Sequence, residues 1–403
     1  MKPLRIAYVL EATAGGTRKH LRELVSGMCS HGHAVMVVVN QGREPDFGED
    51  ITWYKGQGCE VAVIPMGRNI QPLKDAIALL RIARALRRFK PDVIHTHAAK
   101  AGALGRLASL FVPHAAVVHT PHTLPYDWAE GAVSAVYRLL EAGFGRLTDA
   151  AVALTNAQAR RMIEARTVKL GTEPRVIANG VSKAAGLARD EVRKRWDIKP
   201  GEIVVAQVAR LAPQKACGVF VEAAARVKED KARFILMGDG PLKDVIARDA
   251  ASLGLGPGKF RMAGYVPHAE HYYAGIDILV LTSLYEGLSY VVLEGMSAGL
   301  PVIAPGIPGM DEVIEDGRSG ILAPVGDAPA TAEAISRLIS DRGLRETLGD
   351  NARKEVETRF TSRRFIEEHL RLYEGCQARV QIPAQRLPAA ASRRNNGNRE
   401  CCS

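Results

Sequence analysis

Short apolar runs alternate with amphipathic segments of helical period along nearly the whole chain, and this alternation restricts the fold more than any other feature. A run such as residues 278–281 is apolar at every position, so it needs cover on both faces, and the helices between such runs supply it. The architecture expected is a parallel-sheet α/β protein. In the first half the strands fall at residues 4–10, 34–40, 61–64, 93–97, 115–119, 150–153 and 175–177. A second series follows a polar, charged stretch, at 203–208, 233–237, 260–262, 278–281, 302–304 and 321–323. At 403 residues the chain exceeds what one core supports. It reads as two Rossmann-like domains, 1–182 and 201–361, joined by a linker at 183–200 and closed by a last helix at 362–375. Residues 376–403 are Pro-broken, basic and without apolar periodicity, and are expected to be a disordered tail.

Composition narrows the class. No apolar run reaches the roughly 18–20 residues of a membrane span, and the amino-terminal run is short for a signal peptide, so a cytosolic protein is expected, with the inner face of a membrane open to it. Six cysteines are scattered without CxxC spacing, which gives neither a disulfide framework nor a zinc site and predicts free thiols. A formal net charge of +10 admits a polyanionic partner. Only 5% of residues are aromatic, which leaves little stacking surface for nucleic acid. The predicted helix 73–89 sets Arg81, Arg84 and Arg88 apart from an apolar stripe of Leu79, Ile82, Leu86 and Phe89. It reads either as a helix with a solvated basic face or as a peripheral membrane contact.

Candidate site residues gather where strands end. Glu286 and Glu294 lie in EGLSYVVLEGMSAGLPVIAP, the first on the loop after a parallel strand and the second on the next helix, for which Ser289 is the expected cap. Ligands of open α/β sheets bind at that rim, and a carboxylate there can accept from two vicinal hydroxyls. Arg210 and Lys215, in ARLAPQKAC after strand 203–208, match a diphosphate or are simply solvated. Gly238 and Gly240, in GDGP, let backbone approach a ligand. Gly15 and Gly16, before a helix expected to be capped near Thr17, either line a phosphate or sugar or form a plain tight turn. His95 and His97 share one strand face, and His119 and His122 follow the next strand. His122 in HTPHTLPYDW suits hydrogen bonding to a ligand, His97 fits a ligand-facing or a structural role equally, and the spacing lacks a metal-site pattern such as HExxH.

Together these motifs resemble the retaining glycosyltransferases of GT-B fold, of the family 4 type found among bacterial capsule and exopolysaccharide enzymes. The resemblance runs from about Arg5 to Gly375 and rests on Gly15-Gly16, the segment PDVIHTHAAKAGALGRLA, His122, IANGV ending at Val181, Arg210 with Lys215, GDGP and the Glu286/Glu294 block. It implies a nucleotide-diphosphate sugar donor, with Glu294 on the ribose, Glu286 on the transferred sugar and Arg210 and Lys215 on the diphosphate. His122 would approach the donor sugar, and Gly15, Gly16 and Thr17 would border donor phosphate and acceptor. It implies no cofactor or bound metal, and a hydroxyl acceptor, with a lipid-linked saccharide as one form; Tyr126, Asp127 and Trp128 are candidate acceptor-loop residues. Four positions depart from the family's habit: Ala209 and Ala216 where glycine is usual, Ser182 after NGV, and Gly295 after the second glutamate. Two other readings remain at this point, a nucleotide-sugar epimerase of the same architecture and a silent binder of membranes or nucleic acid.

Overall fold

The computed structural model describes residues 2–41, 46–67, 69–182 and 186–381, the side chains of 379–381 excepted. The first sheet holds β1 (Arg5–Leu10), β2 (Ala34–Val39), β3 (Glu60–Val63), β4 (Val93–His97), β5 (Ala116–Thr120), β6 (Ala150–Ala153) and β7 (Arg175–Val176). Helices α1 (Gly15–Ser30), α2 (Phe47–Gly56), α3 (Pro72–Phe89), α4 (Ala99–Ser109), α5 (Pro125–Trp128), α6 (Gly131–Gly145) and α7 (Asn156–Glu164) connect them. The second domain opens with α8 (Arg189–Arg195) and builds its sheet from β8 (Ile203–Val208), β9 (Ala232–Met237), β10 (Phe260–Gly264), β11 (Ile278–Val280), β12 (Val302–Pro305) and β13 (Ile321–Ala323). Its helices are α9 (Cys217–Arg226), α10 (Lys243–Ser252), α11 (Tyr290–Ser297), α12 (Ala328–Ser340) and α13 (Arg342–Arg359), and α14 (Ser362–Gln381) follows.

All neighbouring strands pair in parallel, in the orders β3-β2-β1-β4-β5-β6-β7 and β10-β9-β8-β11-β12-β13. In each sheet the winding reverses once, between β1 and β4 and between β8 and β11. There the following helices go to opposite faces, and a crevice opens at the carboxyl ends of the strands. Gly15 follows β1 and His97 ends β4, while Arg210 follows β8 and Glu286 follows β11. The candidate residues therefore sit at the two switch points.

Two features differ from expectation. Residues 189–200 are no free linker: Val192 of α8 is fully buried, a Cβ on Gly275 would stand 2.3 Å from it, and Trp196 stacks on Tyr272 at 5.9 Å. The polar composition hid one apolar face of a short helix. Likewise the last helix does not end at 375. It runs to Gln381 and returns to the first domain, where Phe365, Leu370, Tyr373 and Cys376 join the core under β1 and β4. The expected tail from 376 thus begins inside a packed helix, and residues 382–403 lie outside the described residues. Chain crossings at Val181 and Thr361 lie side by side, bridged by Val181 N–H to Phe360 O (2.9 Å) and Ser362 N–H to Val181 O (3.2 Å). A Cβ on Gly180 would meet Thr361 O at 2.5 Å, so the glycine of IANGV permits that double crossing.

Cys29 and Cys59 are free but not scattered in space, with sulfurs 3.6 Å apart. Cys401 and Cys402 lie outside the described residues.

Candidate active site

The second domain supplies the charged half of the cleft. Lys215 Nζ donates to Glu286 Oε1 at 2.5 Å, joining the loops after β8 and β11. The backbones of these loops are laced too: Leu284 N–H donates to Gln214 O at 2.8 Å, Gln214 Nε2 to Tyr285 O at 2.9 Å, and Thr282 Oγ1 to Lys215 O at 2.9 Å. Lys215 and Glu286 are consequently held by two switch-point loops that fix one another. Arg210 is exposed on the same loop. Ala216, the residue between Lys215 and α9, adopts φ 43 and ψ 43, a left-handed conformation costly for any residue but glycine.

Gly238 and Gly240 make close backbone contacts within the second domain. Cβ atoms there would lie 1.8 Å from Ala209 O and 2.5 Å from Leu211 O, and Leu211 N–H donates to Asp239 O at 2.9 Å. Both glycines allow the GDGP loop to press against the backbone on either side of Arg210. Gly295, another departure, packs α11 on β11: a Cβ would meet Leu279 Cδ2 at 2.2 Å.

Glu294 projects from the second turn of α11 into the domain interface, nearly buried, where it accepts from Lys19 Nζ and from Tyr273 Oη (3.1 Å). Burial pushes its carboxyl above the usual range, with Lys19 pulling the other way. Burial also works against charge on Lys19, but Glu294 and Glu270, the latter 3.4 Å away, outweigh it and the lysine's pKa rises. Neither expected cap operates: Ser289 precedes α11 without a capping hydrogen bond, and Thr17 lies inside α1, where its hydroxyl donates to Ala14 O (2.9 Å) and Ala12 O. Gly15 opens α1 at φ 57, and a Cβ on Gly16 would touch Tyr290 of α11 at 3.4 Å. The Gly-Gly turn therefore does face the second domain.

The first domain's half is a cluster of buried imidazoles. His122, at φ 63, stands 3.3 Å from His97 (Nε2 to Nδ1) with ring centroids 5.4 Å apart, and His20 packs edge-on against it at 4.6 Å. His20 Nδ1 is hydrogen-bonded to Asn179 Oδ1 at 2.9 Å, and Asn179 Nδ2 donates to Leu288 O at 2.8 Å, beside Glu286. A Cβ on Gly287 would lie 1.9 Å from His122 O; the histidine loop thus rests on the Glu286 loop. His95 is tied down to Tyr373 (2.7 Å) and Thr120 (2.8 Å), and His119 packs beneath Gly102 of α4, so these two are structural. Burial holds His97 and His122 well below the ordinary imidazole range. Both are neutral. His20, His97 and His122 have nitrogens close enough to hold a metal ion together, a grouping drawn from a helix and two strand ends that spacing along the chain does not reveal.

No local motif in the sequence marks Lys19, His20, Tyr273 or Glu270. The only available signal was position: Lys19 and His20 stand one turn into the helix that follows Gly15-Gly16. Of the three acceptor-loop candidates, Trp128 reaches the cleft, stacked on Tyr285 at 6.3 Å. Tyr126 is buried against Thr167 (3.1 Å) and Asp127 is paired with Arg161 (2.6 Å).

Comparison with known proteins agrees with this geometry. Residues 15–180 match the "Glycosyl transferase 4-like domain" and residues 202–341 match "Glycosyl transferases group 1". An Escherichia coli UDP-Gal:alpha-D-GlcNAc-diphosphoundecaprenol alpha-1,3-galactosyltransferase is 27% identical over 337 residues, covering 80% of this chain and 86% of the relative. A GDP-mannose-dependent alpha-mannosyltransferase of Mycobacterium tuberculosis is 28% identical over 354 residues, covering 84% and 89%. Among solved structures, Anabaena HepE in complex with UDP and glucose superposes with a TM-score of 0.80 at 19% identity, over 92% of this chain and all of that one. WaaG, a glycosyltransferase involved in lipopolysaccharide biosynthesis, gives 0.73 at 17%, over 92% of this chain and 100% of that one. Two parallel-sheet Rossmann-like bodies, a cleft between their switch points and matches to both family domains lead to one conclusion: this chain belongs to the GT-B glycosyltransferases of group 1, family 4, and is a nucleotide-sugar-dependent glycosyltransferase of polysaccharide or glycolipid assembly.

Proposed function

We propose that this enzyme moves a hexose from a nucleoside-diphosphate sugar to a hydroxyl of a lipid-linked saccharide, with retention at the anomeric carbon and with Arg210 and Lys215 in place of a catalytic metal. The observation that carries the reading is the Lys215–Glu286 pair, set on two interlocked switch-point loops with His122 O against Gly287. Breaking the bond from anomeric carbon to phosphate oxygen leaves charge on the diphosphate, and two cations on the β8 loop neutralise it where it grows. Glu286 orients the ammonium of Lys215 and accepts from the sugar's hydroxyls. Glu294, buried and partnered by Lys19 and Tyr273, takes the ribose. His122 is neutral because it is buried; its part is to hydrogen-bond the sugar, and it carries no proton to spare as an acid at neutral pH. Retention requires the acceptor to attack on the face the diphosphate leaves. The nearest base for the acceptor's proton is then the departing phosphate oxygen itself.

The names of two relatives support the substrate classes: one is a UDP-galactose enzyme acting on a diphosphoundecaprenol-linked sugar, the other uses GDP-mannose. Among the described residues no helix is long and apolar enough to cross a membrane, and a peripheral contact is the mode that meets a lipid-linked acceptor. Thermal stabilisation by a panel of UDP-, GDP- and ADP-sugars tests the reading. A ligand at 100 times its dissociation constant adds about 2.7 kcal/mol, and the stabilising donor should then be turned over in the presence of EDTA. A panel without effect, or turnover lost to EDTA and restored by a divalent cation, overturns it.

A further inference from the structure

The tautomer of His20 is fixed by its neighbour. Asn179 Nδ2 donates to Leu288 O at 2.8 Å, so it is Asn179 Oδ1 that faces His20 Nδ1 at 2.9 Å. An amide oxygen only accepts, which puts the proton of His20 on Nδ1. Its Nε2 is then a bare acceptor, fully buried and without a hydrogen-bond partner among the described residues. Histidines that ligate metals are held in this way, one ring nitrogen donating to an oxygen while the lone pair of the other takes the ion.

His97 and His122 stand where two further ligands would. Each of the three rings has a nitrogen within 4.8 Å of those of the other two, and His97 Nδ1 lies 3.3 Å from His122 Nε2. The ring centroids are 5.3 Å apart for His20 and His97, 4.6 Å for His20 and His122, and 5.4 Å for His97 and His122. Imidazoles bound to one tetrahedral zinc at about 2.0–2.1 Å have nitrogens roughly 3.3 to 3.4 Å apart and centroids roughly 5 Å apart. A hydrogen bond between His97 and His122 accounts for the 3.3 Å alone and leaves Nε2 of His20 with nothing, whereas a cation serves all three rings. The cluster borders the cleft, since Leu288, which holds Asn179, is two residues from Glu286.

We propose that His20, His97 and His122 bind one Zn²⁺ ion, with water in the fourth position, and that the ion blocks the enzyme. Three imidazoles suit zinc and its transition-metal neighbours, while magnesium, calcium and manganese prefer oxygen ligands. A site with three protein ligands keeps its fourth position for water. The block rests on the proposed function, in which His122 hydrogen-bonds the donor sugar: a ring nitrogen engaged by zinc is lost to that bond. The ion is not a catalytic metal. Arg210 and Lys215 remain on the diphosphate, so removal of zinc should leave turnover intact or raise it.

The test is calorimetric titration of the full chain, first stripped with EDTA, with Zn²⁺, together with visible absorption in Co²⁺ and turnover in either ion. The control is His268→Ala/His271→Ala, because His268, Glu270 and His271 also lie close enough together to take a metal at the surface. One zinc bound equally by wild type and by this control, the visible bands of tetrahedral cobalt, and inhibition that EDTA reverses are the expected results. Asn179→Ala, which releases the His20 ring, should weaken zinc about tenfold, and His20→Gln should weaken it further, with inhibition of each variant read against its own metal-free rate. Wild type that binds no zinc beyond what the control loses, or zinc affinity unchanged in His20→Gln, would overturn the site and leave the place of His122 on the sugar standing. Zinc held by the three histidines without effect on turnover would overturn the block, and that place with it.

Discussion

The two halves of the cleft are made of different material. The second domain presents Arg210, Lys215, Glu286 and Glu294, all charged or chargeable and carried by two loops and one helix. The first domain presents His20, His97 and His122, all buried and packed ring against ring, and one cation, Lys19, which reaches across to Glu294. A diphosphate needs full cations whose position is fixed before charge develops. A sugar ring can be held by hydrogen-bonding groups that carry no charge as well as by carboxylates, and burial among apolar and aromatic neighbours keeps imidazoles uncharged. On the function proposed above, the two domains would divide the donor by chemistry.

The largest effect expected on the charged half is loss of turnover in Lys215→Ala and Arg210→Ala. Each should cost on the order of 3 kcal/mol of transition-state stabilisation, as removal of an oxyanion donor does, with the fold kept. Lys215→Ala also leaves the nearly buried Glu286 without its cation, so it should be the more damaging of the two. Near-normal steady-state rates in both variants would break the division of labour. The glutamates sharpen it. Glu294→Ala should weaken binding of the bare nucleoside diphosphate by about 2 to 3 kcal/mol, for loss of a charged hydrogen-bonding partner. Glu286→Ala should bind the nucleotide nearly as wild type does and lose turnover. Calorimetry with nucleotide and with whole donor distinguishes them, and equal losses of nucleotide affinity would mean the roles are misassigned.

The histidine half predicts a pH dependence. Burial pulls His20 down to about 4, with Asn179 opposing, and His369 to about 3, with the Phe365 carbonyl opposing. An unfolded histidine titrates near roughly 6.5. Below that pH the unfolded chain takes up protons that the folded one refuses, so the stabilisation is complete above about pH 6.5 and falls as pH drops toward 4 and then 3. Each such histidine removes about 1.4 kcal/mol per pH unit across its window. Denaturant titrations from pH 7.5 to 5 should show the decline in wild type and a shallower one in His20→Asn. A flat profile would mean that burial does not lower these histidines, and a stability that rises as pH falls would place charge in the cluster at neutral pH.

How legible each half was in the sequence follows from the same difference. Glu286, Lys215 and Arg210 lie within a few residues of strand ends, and their spacing is local, so reading strands and loops places them. Local sequence puts Glu294 on α11, yet its partner Lys19 comes from 275 positions away, and no local pattern encodes such a pairing. His20 is the plainest case: its neighbours are His97, His122, Asn179 and Phe365, drawn from strand ends, the domain crossing and the last helix. Alternation of apolar runs with helical segments located every strand to within a few residues, most plainly the central ones, whose burial on both faces leaves a one-dimensional record. The return of α14 to the first domain left none, since an amphipathic stripe reports that a surface is covered and not which one. In GDGP the glycines signal close approach of backbone, and one such approach is to Ala209 O and Leu211 O, a partner that the local pattern does not name.

The smallest effect is the most discriminating, because two departures from the family's habit should act in opposite directions. Ala216 sits at φ 43, where an L-residue with a Cβ is strained by about 1 to 2 kcal/mol. Glycine would relieve that strain but add roughly 0.4 to 1 kcal/mol of unfolded-state entropy. The net gain expected for Ala216→Gly is therefore small and positive, below about 1.5 kcal/mol. Ala209 is 7% exposed, packs in the core beneath β8 and is not among the positive-φ residues. For Ala209→Gly there is no strain to relieve, only entropy to add and a buried methyl to lose, and a loss of about 1 kcal/mol or more is expected. Calorimetric unfolding of the two variants gives the signs directly. Stabilisation by both would mean that the loop carrying Arg210 is crowded at its start as well as at its end; destabilisation by both would mean that the left-handed turn at Ala216 stores less strain than the entropy glycine adds.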